Sequence, residues 1–255
     1  MTTRPGKFGR SALALFAAAG IAGAAADRPA SSYFAPGPIE GANAIDITSR
    51  DVAASNEKVR MAHAALTAMW TSHFREVGAR FAVPGLVRYR GGAASACGFM
   101  YRNNAGYCPG DNTIYFDEIF VAAQAKAAAR QLGTDGDMAV VGIIAHEMGH
   151  AVALQLGYRS RTTYANEATA DCLAGAFAEQ AKRDGSLERG DIEEAFFGMA
   201  SAGDPTPELT GDSRLDQTIL RNASRMGHGT REQRTENFRQ GLEGGAGACL
   251  DEFRS

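Results

Sequence analysis

The chain has 255 residues, of which 45% are hydrophobic and 22% are charged. This composition is typical of a globular protein that is long enough to bury a substantial core, so we expect one folded domain over residues 44–255. The formal net charge is −3 and the chain has no long basic run, which argues against nucleic acid as a partner.

The N-terminus has the pattern of a secretory signal. Basic residues precede a run of small and apolar residues over 11–26 that ends in three alanines. We interpret residues 1–26 as a signal peptide cleaved before Asp27, which predicts an exported protein that is periplasmic or secreted. An uncleaved membrane anchor is the alternative, because short apolar runs overlap in length with signal sequences. Residues 27–43, rich in Pro, Gly, Ser and Ala, are expected to form a flexible linker.

The central motif is H-E-x-x-H, formed by His146, Glu147 and His150 within an apolar segment, residues 138–156, that predicts a helix. Two histidines four residues apart share one helix face, so both imidazoles can reach one metal ion. Zn²⁺ held in this way keeps a position for water, and the Glu147 carboxylate is placed to take a proton from that water. The motif therefore predicts metal-assisted hydrolysis with one zinc ion per chain.

The third ligand is expected on a second helix that follows. The long metzincin pattern is excluded because position 156 is Leu156 rather than histidine. Glu167 and Asp171 are again four residues apart and share a face. We predict that Glu167 is the third zinc ligand and that Asp171 accepts the free ring N–H of a liganding histidine. The alternative for both acids is that they are ordinary carboxylates favoured near the start of a helix.

Seven short sequence motifs follow one another along the chain. They are SACG at 95–98, YCP at 107–109, IYFD at 114–117, HEMGH at 146–150, ADCLAG at 170–175, GDIEEA at 190–195 and HGTREQR at 228–234. Over roughly residues 64–253 the chain thereby resembles the putative neutral zinc metallopeptidase family of bacteria. That family usually has Glu-Leu-Gln-Ala-Asp-Cys where this chain has EATADC at 167–172, a change that keeps both candidate acids. The resemblance implies a zincin-like domain and peptidase activity.

The pattern of elements predicts a mainly α fold of the α+β type. Apolar residues recur at three- and four-residue steps over 51–77, which indicates an amphipathic helix. Two short stretches, residues 86–89 and 113–116, predict a small sheet that we expect to be antiparallel. By analogy with other zinc peptidases, Ile114–Phe116 is a candidate for an exposed strand that binds the substrate backbone, and a core strand is the alternative.

Two patterns predict how helices begin. Asp135 or Asp137 is a natural N-cap for the helix that contains the H-E-x-x-H motif. Further along, Asp191 and Glu194 form a D-x-x-E capping pattern ahead of a short helix. These acids therefore have a structural explanation that needs no catalytic role.

The four cysteines of the chain form an even number, as expected for disulfides in an exported protein. Four cysteines allow three pairings. We favour Cys97–Cys108, which closes a local loop, and Cys172–Cys249, which ties the C-terminal tail to the helix of Glu167. A cysteine zinc site is disfavoured because the chain has no C-x-x-C spacing.

His228 is the ambiguous histidine. It lies in a turn before Thr230 and Gln233, which form a capping box. Its imidazole either packs locally or stabilises the oxyanion that forms when water attacks a carbonyl. Tyr115 and Tyr164 are weaker candidates for the second role.

We conclude from the sequence that the chain is a zinc metallopeptidase that hydrolyses peptide bonds, with Glu147 as general base and a peptide or protein as substrate. One alternative is a catalytically silent, zinc-stabilised binding or scaffold protein of the cell envelope. Another is a zinc amidase that acts on cell-wall peptides. A membrane is expected as a partner only if the N-terminal segment is not cleaved.

Overall fold

The computed structural model of the chain describes residues 46–254, so the expected signal peptide (1–26) and linker (27–43) lie outside it. The described part is mainly helical, as predicted. Its helices are α1 (Ser49–Glu76), α2 (Glu118–Leu132), α3 (Asp137–Gln155), α4 (Thr163–Arg183), α5 (Asp191–Ser201), α6 (Ser213–Met226) and α7 (Arg231–Gly244). Its strands are β1 (Gly85–Tyr89), β2 (Gly92–Ser95), β3 (Gly98–Tyr101), β4 (Ala105–Cys108) and β5 (Thr113–Asp117).

Helix α3 lies at the centre of the fold, with α1, α2, α4 and α5 packed around it. Its length and apolar composition would suffice to cross a membrane, but 78% of its apolar window is buried inside the protein. Uniformly apolar helices are expected in the core of a protein as well as in membranes. The surrounding helices therefore account for the composition of α3.

Helices α4 and α7 pack against each other at unusually close range. A Cβ atom at Gly175 would lie 1.9 Å from the Phe238 carbonyl oxygen, and one at Gly241 would lie 1.8 Å from the Cys172 carbonyl oxygen. Only glycine allows such an approach of two backbones. This contact holds α7 against the middle of the helix that begins beside Glu167.

The larger sheet is mixed rather than antiparallel, with the strand order β1-β5-β4. β1 runs parallel to β5, and β4 runs antiparallel to β5, while β2 and β3 form a separate hairpin. Ile114–Phe116 therefore lies in a central strand whose two edges are already paired, so the prediction of an exposed substrate strand there is wrong. The edge strand beside α3 is β4 instead.

The start of α3 is capped from another helix. Its N-cap is Gly136, which makes no side-chain capping bond, and the predicted caps Asp135 and Asp137 instead lie 3.0 and 3.5 Å from Lys58 Nζ. The buried Glu194 carboxylate accepts hydrogen bonds from the backbone N–H of Gly136 (2.9 Å) and of Met138 (2.8 Å).

The predicted D-x-x-E capping box at the start of α5 is therefore wrong. The N-cap of α5 is Gly190, and the Asp191 carboxylate accepts from the backbone N–H of Glu188. The D-x-x-E pattern predicted the wrong contact because the Glu194 carboxylate accepts hydrogen bonds from the start of the neighbouring helix α3 and not from the start of α5.

Both disulfides have the pairing favoured from the sequence. Cys97–Cys108 joins the β2–β3 turn to the end of β4. Cys172–Cys249 ties the C-terminal segment to α4. That segment also packs its Phe253 ring against Trp70 of α1, with centroids 5.7 Å apart.

Candidate metal centre

The side-by-side packing of α3 and α4 brings three predicted ligands together. Nε2 of His146 lies 3.1 Å from Nε2 of His150 and 3.1 Å from Oε2 of Glu167. Nε2 of His150 lies 3.5 Å from Oε1 of Glu167. The i, i+4 spacing on α3 turns both imidazoles toward the first turns of α4, where Glu167 faces them.

The spacing of these donor atoms fits a tetrahedral zinc site. Zinc bonds of about 2.0–2.1 Å in a tetrahedron place neighbouring donors about 3.3 Å apart. The 3.1 Å between the two Nε2 atoms and the 3.1 Å between Nε2 of His146 and Oε2 of Glu167 are close to that value. The 3.5 Å from Nε2 of His150 is to the other oxygen of Glu167, Oε1, so both carboxylate oxygens face the two imidazoles. Two imidazole nitrogens and one carboxylate are also the donor set of many catalytic zinc sites, which keep a fourth position open.

Both histidines have a partner on the ring nitrogen that faces away from the donor cluster. Nδ1 of His146 lies 2.8 Å from Oδ1 of the fully buried Asp171. Nδ1 of His150 lies 3.2 Å from the side-chain amide of Asn166. Such partners fix the tautomer and the ring orientation of a liganding histidine. The structure thus places Asp171 beside a ring nitrogen of His146, as the sequence predicted. It also shows a contact that the sequence did not predict, between Asn166 and His150.

Asp171 is itself held by a buried arginine of α7. Nη2 of Arg234 lies 2.6 Å from Oδ1 of Asp171, and its Nε lies 3.0 Å from Oδ2. Its Nη1 donates to the carbonyl of Ala202, and its Nη2 lies 3.9 Å from Oε2 of Glu167. This guanidinium offsets the negative charge of two buried carboxylates.

Glu147 lies beside the ligands without joining the closest donor cluster. Its Oε2 accepts a hydrogen bond of 2.8 Å from the backbone N–H of Tyr107 in the edge strand β4. Burial raises the pKa of the Glu147 carboxyl above its usual range. A carboxylate of raised pKa is a better proton acceptor near neutral pH.

The ionisation of the ligands differs strongly between the two histidines. Burial alone would lower the pKa of His146, but the carboxylates of Asp171 and Glu167 outweigh it and raise the pKa to about 10. Burial and the charge of His146 lower the pKa of His150 to about 4. A metal bound to Nε2 of His146 would need that atom's lone pair, so the imidazole would give up its Nε2 proton and keep the Nδ1 proton beside Asp171.

The three candidates for oxyanion stabilisation have other partners. The backbone N–H of His228 donates to Asp204 (2.5 Å), and its ring Nδ1 lies 3.6 Å from the same carboxylate, with 57% of the side chain exposed. The Tyr115 hydroxyl donates to Asp111 (2.8 Å). Tyr164 packs against Gly229, next to His228. The catalytic role of His228 stays a prediction, whereas the Tyr115 hydroxyl is occupied by a carboxylate.

Sequence reasoning missed three parts of this centre: Arg234, Asn166 and the backbone N–H of Tyr107. Arg234 and Tyr107 belong to motifs that support the family resemblance, and Asn166 directly precedes Glu167. Membership of a family motif, or a place next to Glu167, could have marked these residues as candidates. Spacing along the chain could not predict that they contact the residues around the H-E-x-x-H helix, because they lie on other elements.

Comparison with known proteins agrees with this centre. The family model described as "Putative neutral zinc metallopeptidase" matches residues 40–253. YpfJ of Escherichia coli K12, an uncharacterized protein, is 31% identical over 72% of this chain and 66% of its own length. The uncharacterized protein Rv2575 of Mycobacterium tuberculosis H37Rv is 31% identical over 58% of this chain and 54% of its own length.

The match thus spans less than two thirds of the length of these relatives. No solved structure matches the chain significantly. Because the family model extends over most of the 255 residues and includes every residue of the metal centre, the chain belongs to the family of putative neutral zinc metallopeptidases.

Proposed function

We propose that the protein is a zinc-dependent peptidase that hydrolyses peptide bonds with Glu147 as the general base. One observation supports this most directly. The Nε2 atoms of His146 and His150 and the carboxylate oxygens of Glu167 approach one another at 3.1–3.5 Å, close enough for all three residues to bind one zinc ion, and a buried carboxylate that is not one of them follows His146 directly in the same helix.

The reaction needs both the metal and this carboxylate. His146, His150 and Glu167 would hold the Zn²⁺, whose Lewis acidity would lower the pKa of a water molecule and polarise the scissile carbonyl. The hydrogen bond from Tyr107 fixes Oε2 of Glu147, which leaves Oε1 to take the proton of the attacking water. The same carboxyl then delivers that proton to the leaving amine. Asp171 holds the Nδ1 proton of His146, so that Nε2 keeps its lone pair for the metal.

The edge of β4 is the proposed place for the substrate backbone. Among residues 46–254, β4 pairs with β5 alone. It also contacts α3, and the Tyr107 N–H donates to Glu147, the proposed general base. A peptide that adds to this edge by strand pairing would bring its carbonyl groups past Glu147. This replaces the central strand β5 as the substrate strand.

We also propose that the protein is exported and acts on a peptide or protein outside the cytoplasm. Both cysteine pairs are bridged, and structural disulfides persist mainly in oxidising compartments. The predicted signal peptide would account for this location.

The substitution Glu147→Gln in the full chain tests the reaction. We expect one zinc per chain in the wild type and in the variant, and cleavage of a peptide library by the wild type only. Glu193→Gln, which removes an exposed carboxylate from α5, is the matched control and should keep full activity. Zinc in both proteins with no cleavage by either would favour the scaffold alternative, and cleavage restricted to cell-wall peptides would favour the amidase.

A further inference from the structure

A surface cleft of about 570 Å³ lies next to the metal centre, between the segment that joins α3 to α4 and the last turn of α6. Asn166 connects the two sites. It lines the cleft, its side chain lies 3.2 Å from Nδ1 of His150, and it directly precedes Glu167. A peptide bound at the metal therefore passes close to this cleft if it extends beyond His150.

The cleft is positively charged. Arg161 lines it from the α3–α4 segment and Arg225 from α6, and none of its lining residues is acidic. Neither guanidinium has a hydrogen-bond or ion-pair partner among residues 46–254. Met226, with 75% of its surface exposed, adds an apolar wall. Two unpaired cations in one cleft repel each other, and an anion bound between them removes that repulsion.

We propose that this cleft binds a carboxylate of the peptide substrate through Arg161 and Arg225, so that the enzyme prefers acidic peptides. The proposal rests on the proposed peptidase function. Guanidinium groups bind carboxylates with paired N–H···O bonds, which suits two arginines at an open site. The carboxylate is either an Asp or Glu side chain or the C-terminus of the peptide.

The position of the cleft restricts where the acidic residue lies. The His150 ring and the Asn166 side chain separate the cleft from the donor atoms of the centre. Since an extended peptide advances about 3.3 Å per residue, the bound carboxylate belongs to a residue roughly two or more positions from the scissile bond. The cleft then selects the substrate without touching the reacting atoms.

The test measures peptide binding to the zinc-loaded full chain with Glu147→Gln, so that no peptide is consumed. Fluorescent peptides with Asp or Glu at successive positions are compared with their Asn or Gln counterparts by anisotropy. We expect the best acidic peptide to bind about 3- to 10-fold more tightly than its amide counterpart, the range of one or two exposed ion pairs. A neutral peptide with a free C-terminus, compared with its amidated form, shows whether the terminal carboxylate is the group that binds.

Two double variants decide whether the cleft is responsible. Arg161→Gln/Arg225→Gln should abolish the preference while zinc content stays at one per chain. Arg214→Gln/Arg221→Gln removes the same charge from parts of α6 outside the cleft and should keep the preference. Equal binding of acidic and amide peptides by the parent protein, or an equal loss in both double variants, would overturn the proposal.

Cleavage of the same peptides by the wild-type chain separates this proposal from the function on which it rests. Cleavage without a preference for acidic peptides contradicts the role of the cleft alone. Arginine-dependent binding without any cleavage contradicts the peptidase function and leaves the carboxylate site in place.

Discussion

Arg234 of α7 and Asp171 of α4 form a buried, two-point ion pair, with 2.6 Å between Nη2 and Oδ1 and 3.0 Å between Nε and Oδ2. Asp171 in turn lies 2.8 Å from Nδ1 of His146. His146, a proposed zinc ligand on α3, is therefore held by a residue of α4, which is in turn held by a residue of α7. The position of α7 thus affects the metal centre although none of the three proposed ligands lies on it.

Loss of Arg234 should destabilise the protein strongly. Arg234→Met leaves the buried Asp171 carboxylate with His146 as its remaining ion-pair partner, so the free energy of unfolding should fall by at most about 3–5 kcal/mol, the cost of breaking a buried ion pair. Asp171→Asn/Arg234→Met should recover part of this loss, because the carboxylate that lost its arginine is no longer charged. Urea denaturation measures both, with Arg239→Met as control, since Arg239 lies in exposed pairs on the same helix. A cost below 1 kcal/mol for Arg234→Met would contradict the structural role of this pair.

Asn166 should affect zinc affinity through His150. When Nε2 of His150 binds zinc, Nδ1 holds the proton, and a half-turn of the Asn166 amide presents its oxygen as the acceptor. Asn166→Ala should weaken zinc binding by about tenfold, the lower end of the range for such partners, whereas Asn166→Asp should keep it. Competition with a chromophoric chelator measures the affinity. Asn222→Ala, in the same cleft, should have no effect, and wild-type affinity in Asn166→Ala would refute the contact.

The sequence predicted the parts of the centre that depend on spacing within one helix. His146 and His150, and likewise Glu167 and Asp171, are four residues apart, so helix geometry alone places each pair on one face. The two helices could be brought together only by assuming that they share a metal ion. The fold confirms that they are neighbours.

Contacts between distant segments could not be predicted in this way. Arg234 lies 63 residues from Asp171, and Glu194 lies 56 residues from Met138, whose N–H it accepts. The D-x-x-E capping rule gave the wrong result at Glu194 because a carboxylate can accept hydrogen bonds from any unpaired backbone N–H within reach, including those of a neighbouring helix. The sheet was misjudged for a similar reason, since strands of four or five residues do not reveal their partners.

Glu194 should be important for the stability of the H-E-x-x-H helix. Its two hydrogen bonds satisfy N–H groups at the start of α3 in a buried place, and an unsatisfied buried donor costs about 1–3 kcal/mol. Glu194→Ala should therefore lower the free energy of unfolding by about 2–5 kcal/mol, and Glu194→Gln by less because one acceptor remains. The neighbouring Glu193→Ala is the surface control, expected within about 0.5 kcal/mol of wild type. Equal effects of Glu193→Ala and Glu194→Ala in denaturation curves would disprove the capping role.

Removal of the Cys172–Cys249 bridge should lower stability but spare the metal centre. The bridge closes a loop of 77 residues, for which the chain-entropy relation gives about 4.5 kcal/mol. Cys172→Ala/Cys249→Ala should therefore unfold at lower denaturant concentration, while the close backbone contacts between α4 and α7, at Gly175 against Phe238 and at Gly241 against Cys172, keep α4 in place. Zinc affinity, measured by chelator competition, should fall less than in Asp171→Asn. A larger fall would show that the bridge, and not α7, positions α4.

The pH dependence of stability should change when Asp191 loses its charge. Burial, together with the charges of Asp137 and Glu194, raises the pKa of the Asp191 carboxyl to about 6. The folded protein then binds the Asp191 proton more tightly than the unfolded chain does. This carboxyl therefore lowers stability progressively as the pH rises from about 4 to about 6.

Asp191→Asn removes that penalty. Relative to wild type, the variant should gain on the order of 1 kcal/mol of unfolding free energy between pH 5 and pH 7.5. Urea denaturation of both proteins at the two pH values measures this difference, in which the titration of groups that do not interact with Asp191 cancels. Asp216→Asn is the control, because the pKa of this exposed carboxyl is lowered rather than raised. If the unfolding free energy of the variant relative to wild type stayed constant or fell between pH 5 and pH 7.5, Asp191 would ionise as easily in the folded protein as in water.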